Sequence, residues 1–238
     1  MSKPSAKDTE PKIGVLCWEG DSDGKSDELG QFEEIPGHFM HPDTFSFPIR
    51  FERVEGANFD TIVRDPNEEV LSSMIERAKK MEEEGIEAIA TSCGFNAIFQ
   101  KELADSVNIP VFTSSLLQVP PAKRMMGEDG KVGIITADEG SLSEDHLRAV
   151  GIDPSNVSII GVQDTESFSK VREDPTADLD VEKFRREVVG KAEELVQREE
   201  KNIGAIVIEC TDLPSFSSDI REKTGLPVYD IVTLTNWI

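Results

Sequence analysis

Two cysteines stand in segments that correspond across the chain, Ala90-Thr91-Ser92-Cys93-Gly94-Phe95 and Val207-Ile208-Glu209-Cys210-Thr211-Asp212. The 117-residue offset between them also carries Ile86 onto Ile203, Ala88 onto Ala205, Phe99 onto Phe216, Pro110 onto Pro227 and Val111 onto Val228. A cysteine at the same place in each half of a repeated unit predicts two thiols facing one cleft. A free thiol ionises near pH ~8.5, so it can gain or lose a proton close to neutrality without a metal. One thiolate could take the proton from a substrate's α-carbon while the opposite thiol returns one to the other face, inverting that carbon. Either cysteine alone reads more simply as packing, because free cysteine is among the most buried residue types. Matched placement and small polar neighbours tip the reading toward chemistry. Cys17, inside the apolar run Ile13-Gly14-Val15-Leu16-Cys17, reads as structural.

An anionic intermediate needs hydrogen-bond donors, and Ser92, Asn96, Thr113, Ser114, Ser115 and Thr211 are candidates. Gly94, Thr136 and Asp212 are expected to contact the substrate with them. A helix beginning soon after each cysteine, near Asn96 and near Ser215, would favour the thiolate through its N–H groups and dipole.

The elements that must position these residues alternate between strand and helix. Short apolar runs at 13–17, 87–92, 111–113, 131–136, 157–162 and 205–210 suit buried parallel strands. Helical spacing follows Asp65-Pro66-Asn67, with Asp65 as the expected cap and Pro66 at the first helical position, and runs to Gly85. Further helices are expected at about 96–106, 142–150, 181–200 and 215–223. This pattern predicts an α/β protein of two pseudo-symmetric, three-layer α/β/α lobes with mainly parallel sheets, related by internal duplication. The first lobe is expected at 1–116 plus 228–238 and carries Cys93; the second, at 117–227, carries Cys210. Ligands in such folds bind beyond the carboxyl ends of the strands, where both cysteines fall. The stretch 18–64, polar and containing one plausible extended piece at 45–54, is long for an inert loop and could act as a lid.

Composition narrows the partners. The formal charge is −22, from 47 acidic against 25 basic residues, a field that repels nucleic acid and anionic membranes. It suits a salt-rich cytoplasm or simply an acidic, soluble surface. No run approaches the roughly 18 apolar residues of a membrane span, and the opening 1–8 has no apolar core of a signal peptide, so the expected location is cytoplasmic. Three cysteines far apart in sequence suggest free thiols. His38 and His41 beside Asp43 form too small a cluster to predict a metal, and Asp21, Asp23 and Asp27 lack the rest of a calcium-loop spacing.

Thr91-Ser92-Cys93-Gly94-Phe95-Asn96, Glu209-Cys210-Thr211-Asp212-Leu213-Pro214 and Pro110-Val111-Phe112-Thr113-Ser114-Ser115, set in a duplicated α/β pattern, resemble the aspartate/glutamate racemase superfamily. That superfamily includes glutamate, aspartate and hydantoin racemases, maleate isomerases and arylmalonate decarboxylases. The likeness extends over 13–238 and includes Asp43-Thr44-Phe45-Ser46-Phe47-Pro48 and the ending Val228-Tyr229-Asp230-Ile231-Val232. It implies a racemase or epimerase without cofactor, Cys93 and Cys210 as its acid and base, and a small carboxylate-bearing amino acid or derivative as substrate. It also implies a carboxylate held by Ser92, Asn96 and Thr211, and a possible homodimer. Two departures weaken an assignment to glutamate: Asp212 stands where glutamate racemases commonly carry His, and Cys17-Trp18-Glu19-Gly20 replaces their Asp-Ser pair. Keeping both cysteines argues against the single-cysteine decarboxylases. The alternatives are cis–trans isomerisation of a diacid with one cysteine as nucleophile, or a catalytically silent metabolite-binding protein.

Overall fold

The apolar runs become two sheets of four parallel strands. A computed structural model describes residues 10–19, 30–199 and 202–237. The tail at 1–8 and the aspartates at 21, 23 and 27 lie outside the described residues. The first sheet holds β1 (Ile13–Cys17), β2 (Ile49–Arg53), β3 (Ala88–Thr91) and β4 (Val111–Phe112), in the order β2-β1-β3-β4. The second holds β5 (Lys131–Thr136), β6 (Val157–Gly161), β7 (Ile203–Ile208) and β8 (Val228–Tyr229), in the order β6-β5-β7-β8. All pairings are parallel and the same order recurs, as duplication predicts. β1 and β3 are buried along their whole length, the condition of strands covered on both faces.

Helices cover the sheets: α1 (Glu68–Glu83), α2 (Gln100–Ser106), α3 (Val119–Arg124), α4 (Glu144–Ala149), α5 (Glu166–Glu173), α6 (Val181–Arg198), α7 (Ser217–Thr224) and α8 (Ile231–Thr235). The longest two occupy equivalent places. A Cβ at Gly14 would lie 2.6 Å from Met81 Cε of α1, and one at Gly133 would lie 2.7 Å from Leu195 Cδ2 of α6. Glycine in the first strand of each sheet thus lets one long helix sit close. None of the described helices is long and apolar enough to cross a membrane.

Several boundaries differ from expectation for local reasons. The cap of α1 is Asn67, whose Oδ1 accepts from Val70 N at 3.0 Å, and not Asp65. Pro66 keeps the residue before it out of helical geometry, so the helix starts only beyond the proline, and Asp65 instead ends a π-helical turn at Asp60–Arg64. The segment expected as a helix from Asn96 begins as a 3-10 helix at Gly94–Phe99. The extended piece within 45–54 contracts to β2, and α3, α5 and α8 were not anticipated.

The halves also exchange their ends. After β4 the chain crosses to the second sheet, where Ser115 Oγ donates to Ile208 O and Val119 and Ala122 join a core with Val132, Ala205 and Val207. After β8, α8 returns to the first sheet and buries Ile231 and Leu234 against Ile13, Val15 and Phe112. The boundary expected at 228 therefore needs correction: β8 pairs with β7, and only the helix behind it reaches the first lobe. Gln118 ties the two crossings, donating to Asp230 O at 2.8 Å and accepting from Thr233 Oγ1 at 3.0 Å.

Candidate active site

Each central strand delivers its cysteine just beyond its last ladder bond. Ser92 N still bonds to Leu16 O and Glu209 N to Ile135 O, after which the chain turns away from the sheet. Both thiols are buried, at 8% exposure for Cys93 and 6% for Cys210, and both line one cavity of about 60 Å³ between the lobes. The loops touch directly, for Thr211 Oγ1 donates to Ser92 O. The two flanks are not alike. Cys93 is the N-cap of the Gly94–Phe99 helix, which starts two residues before the expected Asn96. Cys210 is followed by a turn, and its next helix starts only at Pro214–Phe216. There the backbone N–H of Asp212 takes the helix's place as the group that favours a thiolate.

Of the residues expected to meet a substrate, Ser92, Gly94, Thr211 and Asp212 line the cavity. The others are committed to the framework around it. Thr113 binds Gln100 Oε1 through both its N–H and its hydroxyl, and Ser114 Oγ caps the turn at Leu116 N. Thr136 Oγ1 donates to Glu209 Oε2 at 2.6 Å, and Ser115 is spent on Ile208 O. Asn96 is buried, with its Oδ1 unpartnered among the described residues. Cys17 is buried in the sheet, its thiol pushed up to about 12 chiefly by burial, and it lies off the cavity wall.

The remaining wall was hidden from sequence reasoning. From 18–64 come Trp18, Glu33, His38, Arg53 and Phe59; from the second lobe come Phe168, Arg172 and Glu209. The long segment is therefore part of the site, with Phe32, Phe39 and Phe45 anchoring it in the cores. The two loop histidines separate: His41 Nδ1 accepts from Asp43 N, while His38 reaches across to Asp212, with Nε2 3.0 Å from Oδ1. Arg172 lies 4.0 Å from the centroid of Phe59, a cation–π contact from α5 to the first lobe. Length was the one sequence signal for the wall residues of 18–64, and Glu209 stood in the second cysteine segment.

The electrostatics are acidic. Burial, then the charges of Glu209 and Asp212, hold the Cys93 thiol well above its ordinary range, against opposing N–H groups of Phe95 and Trp18. Burial, then Asp212 and Glu209, do the same to Cys210. Glu209 itself is pushed up to about 7 by burial, despite its bonds to Thr136 and to the Ala137 N–H. Its Oε1 has no partner among the described residues and lies where a Cβ on residue 94 would be, 2.3 Å away, so Gly94 is required by this close approach. Both thiols are thus held toward their protonated form, and a cation placed beside them would favour the thiolate.

Comparison with known proteins fits this architecture. A family model described as Asp/Glu/hydantoin racemase matches residues 50–237. The chain is 34% identical over 208 residues to a dimethylsulfoniopropionate lyase of Durusdinium sp. clade D, covering 84% of this chain and 68% of that one. It is 30% identical over 211 residues to dimethylsulfoniopropionate lyase 7 of Emiliania huxleyi, covering 84% of this chain and 61% of the relative. The structure superposes on allantoin racemase from Pseudomonas fluorescens with a TM-score of 0.59 at 16% identity, over 94% of this chain and 86% of the other. With its duplicated sheets and its match over most of its length, the chain belongs to the Asp/Glu/hydantoin racemase family.

Proposed function

We propose that this protein removes a proton from the carbon next to a carboxylate in a small zwitterion and expels a neutral sulfide from the neighbouring carbon, with dimethylsulfoniopropionate as its substrate. The observation that carries the reading is the pair of thiols in a small cavity that is acidic and walled by aromatic rings. Glu33, Glu209 and Asp212 together with Trp18, Phe59 and Phe168 suit a sulfonium group, which is cationic and apolar at once. The names of the relatives support the same substrate. Ser92 and Arg172 are groups on the wall that suit the carboxylate.

In this reaction a thiolate takes the α-hydrogen as a proton. The electron pair of that C–H bond becomes the second bond between Cα and Cβ. The Cβ–S bond breaks with its pair remaining on sulfur, so that dimethyl sulfide and acrylate leave. The thiol then returns its proton to water, and no oxidant or cofactor enters the balance. The sulfonium cation also offsets the carboxylates that hold the thiols protonated.

A second reading, inversion of an amino acid or derivative, is favoured by both thiols lining the same cavity. The two begin with the same deprotonation and part afterwards. Incubation with dimethylsulfoniopropionate should release dimethyl sulfide, measured in the headspace, with acrylate seen by NMR. Exchange of α-hydrogen in D₂O with inversion of an amino acid, and no sulfide, would select the second reading. Neither product from the folded protein would defeat both.

A further inference from the structure

We propose that the two thiols are not interchangeable: a hydrogen-bonded chain through Asp212 and His38 keeps the proton on Cys210, which leaves Cys93 as the thiol that acts as base. The chain begins in the first lobe, where Met40 N donates to His38 Nδ1 at 3.1 Å. That acceptor role assigns the tautomer, so the ring hydrogen lies on Nε2 and is donated to Asp212 Oδ1 at 3.0 Å. His38 is 2% exposed, and Thr44 Oγ1 donates to its carbonyl at 2.6 Å, which holds the residue in place. The other oxygen of Asp212, Oδ2, accepts from Cys210 Sγ at 3.7 Å. The donors converge on the Asp212 carboxylate, with the His38 ring N–H on one oxygen and the Cys210 thiol hydrogen on the other.

Cys93 faces the opposite kind of neighbour. The Trp18 indole N–H is buried with no acceptor among the described residues, and it stands with the Phe95 backbone N–H among the groups that favour a thiolate there. Other charged groups on the shared cavity are Glu209 at the end of β7, Glu33 and Arg53 from the first-lobe segment, and Arg172 from α5. Glu209 and Asp212 both oppose ionisation of both thiols, but Asp212 hydrogen-bonds only to Cys210. The difference between the cysteines therefore comes from Asp212 and Trp18. Asp212 and His38 are positioning residues in this scheme, acting through Cys210.

The catalytic consequence rests on the proposed reaction, but the order of ionisation does not, so it is measured without turnover. Iodoacetamide alkylation of the whole protein, followed by peptide mass spectrometry across a pH series, gives one midpoint for each thiol; the midpoint reports ionisation independently of access. Cys93 should have the lower midpoint. Asp212→Asn should lower the Cys210 midpoint by about one unit, about tenfold in thiolate fraction, and move Cys93 less. His38→Ala should raise it, because Asp212 loses a donor and turns more strongly to the thiol. A lower midpoint for Cys210 than for Cys93 in the unsubstituted protein would overturn the inference, whatever the variants do. So would an unmoved Cys210 midpoint in folded Asp212→Asn. Sulfide release that persists alongside such a failure would leave the proposed reaction standing and remove only the division of roles.

Discussion

At the scale of single residues, Cys93, Gly94 and Glu209 form one unit in which each constrains the others. Glycine at 94 lets the Glu209 carbonyl and carboxyl approach the turn that carries Cys93. Gly94→Ala should cost at least about 2 kcal/mol, because its nearest obstacle is backbone that cannot swing aside; denaturant unfolding measures it. Glu209 gives a signed pH dependence. Its pKa is raised in the folded protein, from 4.5 to about 7, so its stabilising contribution is full below the unfolded value and is lost as pH rises through the folded one. Relative to Glu209→Gln, the parent should lose about 3 kcal/mol of unfolding free energy between these two pH values. Cys93→Ser should lower kcat/KM for sulfide release by about 10³ or more, the scale of a lost general base, and a headspace assay reads it.

At the scale of elements, the sequence was most legible where chemistry and spacing agree. The buried apolar runs named the central strands, and the 117-residue offset predicted that β3 and β7 would deliver equivalent cysteines. Boundaries were less legible because they depend on competition between neighbours. Asp65 and Asn67 are both good caps, and Pro66 between them decides for Asn67. Asn67→Ala should therefore reduce stability by about 1 kcal/mol, and Asp65→Ala by less, in matched thermal melts. The helix behind Cys210 begins at Pro214, one residue before the expected Ser215, and a turn at Thr211 and Asp212 separates it from the thiol. That turn puts Asp212 beside the thiol.

At the scale of the whole molecule, the acidic surplus and the site have separate consequences. A formal charge of −22 makes the folded surface repel itself, so raising NaCl from about 0.05 M to about 1 M should raise Tm. A Tm that stays flat or falls would show that paired charges such as Lys12–Glu87 and Arg50–Glu84 already balance the surface. The lobes are bound by exchanged ends and by Arg172 reaching Phe59, which makes the cavity a property of both halves together.

The amino-acid sequence alone determined the α/β class, the repeat and the two cysteines at strand ends, because those follow from local periodicity and from an offset that can be counted. Only the tertiary structure decided what surrounds the thiols. His38 and Asp212 lie 174 residues apart, and no local rule pairs them. Trp18, Phe59 and Arg172 likewise become walls of one cavity only when the lobes close on each other. Desolvation acts on groups by their place in space, and that is why two cysteines alike in sequence acquire different neighbours and, by the inference above, different roles.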